Sequence, residues 1–100
     1  MIKHIALWRL QAPAAGDSRE AMFARIKSAV EGQTGRIPGL LEAEVGLNFK
    51  ESPKALDVAV YTTFADKAAL EAYHRHPVHQ ETRAQVDSYV ASSVFVDYEV

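Results

Sequence analysis

Three imidazoles and a phenol fall within one short stretch of this chain, Tyr73-His74-Arg75-His76-Pro77-Val78-His79. Neutral imidazole exchanges protons near neutral pH, and a phenol donates a hydrogen bond to a developing oxyanion, so the stretch holds the parts of a general acid–base site. Aldol-type closure of a carbonyl compound needs that pairing: a base for the carbon acid and a donor for the enolate oxygen. Proline fits the first position of a helix, which puts His79 at the third, where the positive end of the helix dipole favours an uncharged ring. In this reading His79 is the base and Tyr73 the donor. The remaining histidine, His4, lies in the first apolar run as a second donor or substrate ligand, and joins the others only if the opening strand passes beneath the break between the two late helices.

Each of these residues also has a plainer use. His76 suits a helix cap, and His74 and Arg75 suit a solvated face. His79 and Tyr73 can pack and satisfy buried hydrogen bonds, and His4 can tie the sheet to the helix layer. A metal reading of His74-x-His76-x-x-His79 fails on spacing, because Pro77 interrupts the helix between the second and third imidazoles. With no cysteine in 100 residues, thiolate metal sites, disulfides and cysteine nucleophiles are excluded. No cofactor and no metal are expected.

The elements that must position these groups follow from patterning. Residues 1–100 suit one domain, and a net charge of −2, without blocks of like charge, gives nucleic acid and anionic membranes nothing to hold. Neither a signal peptide nor a long apolar span is evident, so the expected location is cytoplasmic. Residues 2–10 are apolar on both parities, as in a strand covered on both faces. Asp17 and Glu20 suggest a capped helix from about residue 18 to 33, with Met22, Phe23 and Ile26 on its inner stripe. Leu41, Ala43, Val45, Leu47 and Phe49 alternate with polar residues as an outer strand, and Leu56 to Phe64 reads as a central one. Asp66 caps a short helix ending before Pro77, the helix from Pro77 buries Val86, Tyr89 and Val90, and a last strand runs from about Ser93 to Glu99.

The order β-α-β-β-α-α-β is the α+β, ferredoxin-like plan: a four-stranded antiparallel sheet with helices on one face. Apolar and aromatic side chains on both parities of the first, third and fourth strands leave the other face greasy, which predicts a homodimer packed sheet against sheet.

The chain resembles the stress-responsive A/B barrel domains, a family of dimeric α+β barrels. The resemblance is carried by Ile2-Lys3-His4-Ile5, Ile37-Pro38-Gly39 followed by Gly46 and Asn48, and Tyr61-Thr62-Thr63-Phe64 followed by Asp66. It continues through Leu70-Glu71-Ala72-Tyr73, His76-Pro77-Val78-His79 and Val96-Asp97-Tyr98. It implies a barrel-like dimer with a pocket between each sheet and its own helices, but no single activity. Plant members are linked to stress tolerance, and one plant branch is a cofactor-free polyketide cyclase whose site residues fall at His4, Tyr73 and His79. Trp8 departs from that branch and narrows the pocket, so a compact carbonyl or aromatic compound fits better than a long chain. Two readings stand: a cofactor-free enzyme or small-molecule binder, and a non-catalytic dimeric stress or scaffold protein with structural histidines. Oxidative chemistry is known in other dimeric α+β barrels, though no residue here selects it. RNA binding lacks its basic, glycine-rich strand signature.

Overall fold

The computed structural model describes residues 1–100. Its elements run β1 (Ile2–Leu10), α1 (Arg19–Glu31), β2 (Leu40–Leu47), β3 (Val58–Phe64), α2 (Lys67–Arg75), α3 (Pro77–Val86), a 3-10 turn (Asp87–Tyr89) and β4 (Val90–Glu99). All four strands are antiparallel neighbours in the order β2-β3-β1-β4, so β3 and β1 are central and the plan is ferredoxin-like. Ala6, Val45, Val58 and Val60 share one face of the sheet and pack on Ile26 and Val30 of α1 and Val86 of α3. Ile2, Leu40 and Phe64 continue that face against Leu70 and Tyr73 of α2. The helices therefore cover one side only.

Local chemistry sets the joints. Asp66 caps α2 by accepting from the Ala69 N–H at 2.8 Å. Pro77 holds His76 in an extended conformation, ending α2, and the His76 Nδ1 accepts from the Val78 N–H at 3.1 Å to start α3. That break lets α3 turn back over β1. Gly39 has φ of 84°, and a Cβ there would lie 2.5 Å from the Ala69 Cβ, so β2 enters the sheet pressed against α2.

Several expectations are corrected. Ser18, not Asp17, caps α1, accepting from the Ala21 N–H at 3.0 Å; Asp17 instead pairs with Arg25. A register shift between Leu40 and Glu42 turns Leu41 outward and puts Leu40 in the core, and Phe49 lies beyond β2, almost fully exposed. Leu41 and Phe49 thus leave the apolar face assigned to them. Tyr89 lies in the 3-10 turn and Val90 opens β4, so α3 ends at Val86.

The two sheet edges differ. At β2, Glu31 of α1 accepts from the Val45 N–H at 2.9 Å and Lys27 donates to the Val45 carbonyl at 3.1 Å, which pairs the edge at Val45 with the chain's own side chains. At β4, every residue after Val90 is exposed, on both faces. Leu7, Val94, Val96 and Tyr98 stand on the face away from the helices, each at least 40% exposed.

Candidate active site

A cavity of about 410 Å³ opens between the sheet and the helices, within the range that holds small organic ligands. His4, Tyr73 and His79 all line it, so β1 does run beneath the α2–α3 break. Trp8 lines it as well, two residues beyond Ala6 on the same parity, with Val30, Val60, Val86 and Phe95 adding apolar surface. Met22 and Ile26 of the inner stripe are buried in the core, and the cavity is lined instead by Val30 of α1 and Gln33 of the turn after it.

On the helix wall, Gln33 joins the site residues. Its side chain is 1% exposed; Nε2 donates to the Val30 carbonyl at 3.1 Å and to the Tyr73 Oη at 3.2 Å, while Oε1 lies 3.0 Å from the His79 Nδ1. The Tyr73 and His79 rings stack with centroids 3.9 Å apart, and Phe64 meets the other side of Tyr73 edge-on at 4.8 Å. Burial raises the Tyr73 phenol above its ordinary value, opposed by the hydrogen bond from Gln33. His79 is lowered to about 4, first by burial and then by the nearby His74 and Arg83. It is therefore neutral at pH 7.

On the sheet wall, His4 pairs through Nδ1 with the Asp97 carboxylate of β4, directly opposite in the β1–β4 register. A carboxylate accepts only, so that nitrogen carries a proton and Nε2 is left for a ligand. The Phe95 ring lies 5.8 Å from the His4 ring. His74, read from sequence as solvated, is exposed yet lines the cavity, its ring 6.3 Å from His4 and 6.1 Å from His79. Its imidazole is lowered, first by burial and then by His4. His76 is taken up in the helix cap, and no three His, Asp or Glu side chains converge as metal donors.

Sequence reasoning passed over Gln33 and Asp97. Gln33 lies in Gly32-Gln33-Thr34-Gly35, which reads as an exposed turn. Asp97 alternates with apolar residues on an edge strand, where an acid is usually solvated. Its parity with His4, once the strands are paired, was the available clue.

The family model described as the stress responsive A/B barrel domain matches residues 2–100. No curated protein matches significantly. Among solved structures, a dimeric ferredoxin-like protein of unknown function from Bacteroides fragilis is 26% identical, with a TM-score of 0.84, covering 99% of this chain and 95% of that one. A Dabb family protein with a ferredoxin-like fold from Mesorhizobium loti is 24% identical with a TM-score of 0.73, over 99% of this chain and 95% of that one. Hydroxynitrile lyase from Passiflora edulis shares 17% identity and a TM-score of 0.76, over 99% of this chain and 92% of that one. No helix is long and apolar enough to cross a membrane.

Proposed function

Because the chain belongs to the stress responsive A/B barrel domain family, whose solved relatives share its fold, we propose that it binds a compact carbonyl or aryl carbonyl compound between sheet and helices and performs cofactor-free acid–base chemistry on it. The observation that carries this reading is the convergence of His4, Tyr73 and His79, with Asp97, on one cavity of about 410 Å³. The proposed site is His4, Tyr73 and His79.

The base role expected for His79 passes to His4. A ring lowered to about 4 is a weak base at pH 7, whereas His4 is oriented by its Nδ1–H on the Asp97 carboxylate, which leaves Nε2 free to take a proton. In the proposed step His4 Nε2 takes a proton from the carbon next to the carbonyl, and the C–H electron pair moves into the enolate. Tyr73, whose oxygen already accepts from Gln33, turns its own O–H to the enolate oxygen. Return of the proton, or attack of the enolate on a second carbonyl, completes the cycle. The Passiflora edulis relative is a lyase by name, which agrees with acid–base chemistry in such a cavity.

Hydrogen–deuterium exchange at the methyl group of acetophenone in D2O, followed by proton NMR, tests this. Acceleration over buffer that falls about 100-fold in His4→Ala supports it. An exchange rate equal to buffer at saturating protein contradicts it and favours a non-catalytic dimeric protein with structural histidines.

We also propose that the chain is a homodimer through the open sheet face and β4. The exposed Leu7, Val94, Val96 and Tyr98 support this, as does the description of the Bacteroides fragilis relative as dimeric. Light scattering should give twice the chain mass, and Val96→Asp should give the chain mass; a monomeric wild type would exclude it.

A further inference from the structure

The amide of Gln33 sits where it decides the hydrogen-bonding polarity of the whole helix wall. Its Nε2 faces the Val30 carbonyl at 3.1 Å, and a carbonyl only accepts, so the amide cannot be turned end for end without setting two carbonyl oxygens against each other. With that orientation fixed, Oε1 faces the His79 Nδ1 at 3.0 Å and can only accept, so the neutral ring carries its proton on Nδ1. Nε2 of His79 is then a bare lone pair. The same amide donates to the Tyr73 oxygen at 3.2 Å, and no acceptor within the chain takes the phenol proton. One buried side chain thus presets an acceptor on His79 and a donor on Tyr73, on rings 3.9 Å apart.

We propose that Gln33 is a positioning residue that sets this acceptor–donor pair, and that the pair selects a carbonyl compound bearing a hydroxyl group, as in a hydroxyaryl ketone. The carbonyl meets the Tyr73 O–H and the hydroxyl meets the His79 Nε2. The inference deepens the proposed acid–base reading and rests on it for the identity of the cavity as a ligand site. The charged and titratable groups facing His79 are Tyr73 and His74 from α2, His4 from β1, Arg83 from α3 and Asp87 from the following turn. Arg83 and Asp87 pair with each other at 3.2 Å. None of them lies within hydrogen-bond reach of the His79 ring, so Gln33 alone fixes its tautomer.

Gln33→Glu reverses the pattern. A carboxylate accepts from Tyr73, drawing its proton away from the ligand, and favours doubly protonated His79, which turns its acceptor into a donor. Long-range proton–nitrogen NMR of the histidine rings at pH 7 reads this directly. The expected result is His79 protonated on Nδ1 alone in the wild type and on both nitrogens in Gln33→Glu. Binding of 3-hydroxyacetophenone should exceed that of 3-methoxyacetophenone by roughly fivefold in the wild type, and this preference should vanish in Gln33→Glu.

A wild-type His79 protonated on Nε2 overturns the proposal, as does an unchanged ring in the variant or equal binding of the two ketones. If Gln33→Glu does not fold, the wild-type tautomer and the wild-type preference decide alone. Should neither ketone bind while the tautomer is as stated, the acid–base reading fails and the role of Gln33 in setting the His79 proton stands.

Discussion

On the helix wall of the cavity, Gln33, Tyr73 and His79 are held together by an amide, packed rings and burial; on the sheet wall, His4 of central β1 donates from Nδ1 to the Asp97 carboxylate of exposed β4. The same residue type, histidine, is therefore under opposite constraints on the two walls of one cavity. Burial keeps His79 neutral near pH 7, and the Gln33 Oε1, its one hydrogen-bond partner, would be orphaned by its loss. His4 stands beside a carboxylate that can stabilise a transient positive charge. The contrast teaches that proximity to a cavity does not assign a role; the partner on the second nitrogen does.

Breaking the helix wall should therefore cost stability, and breaking the sheet wall should not. Gln33→Ala removes three hydrogen bonds and strands the groups they served, an expected loss of about 3 kcal/mol in urea unfolding. Acid should weaken the same wall. The unfolded His79 titrates near 6.5 and the folded one near 4, so below the first value the unfolded chain binds a proton that the folded chain refuses. Stability then falls with pH between those limits, with nothing lost above 6.5; allowing for the ring's partial exposure, the loss is about 1.5 kcal/mol. His74 is lowered in the same direction and adds to it. A His79→Asn variant should flatten that slope, and an unaltered slope would place the titration elsewhere. Asp97→Asn should shift unfolding by less than about 0.5 kcal/mol, since its pair is partly exposed. A larger cost would erase the contrast between the walls.

Much of the frame could be read from single residues. Pro77 announced the helix break, Asp66 and His76 the caps, and the alternation from Ala43 to Leu47 the outer strand. What could not be read depends on pairing. The shift at Leu40–Glu42 moved Leu41 out of the core, because a bulge leaves no trace in a parity count. Asp97 became His4's partner only through the β1–β4 register, and His74 reached the cavity although its helix position looked solvated. Gln33 was hidden by its polar, glycine-flanked setting, which signals an exposed turn unless one knows that α2 and α3 close over it. The three candidates on the cavity were visible, and the two groups hydrogen-bonded to them, Gln33 and Asp97, were not.

Trp8 is the chain's one tryptophan and lines the cavity, so its indole N–H gives a single unambiguous NMR signal from within the proposed site. Titration with acetophenone should move that signal along a saturable curve with a Kd of about 1 mM, as expected for a ligand of this size. Ser93→Phe, which adds bulk to the exposed strand lining the same cavity, should abolish the shift while the chain stays folded. An indole signal that stays fixed, or drifts linearly and alike in both proteins, would contradict the claim that this cavity receives a ligand.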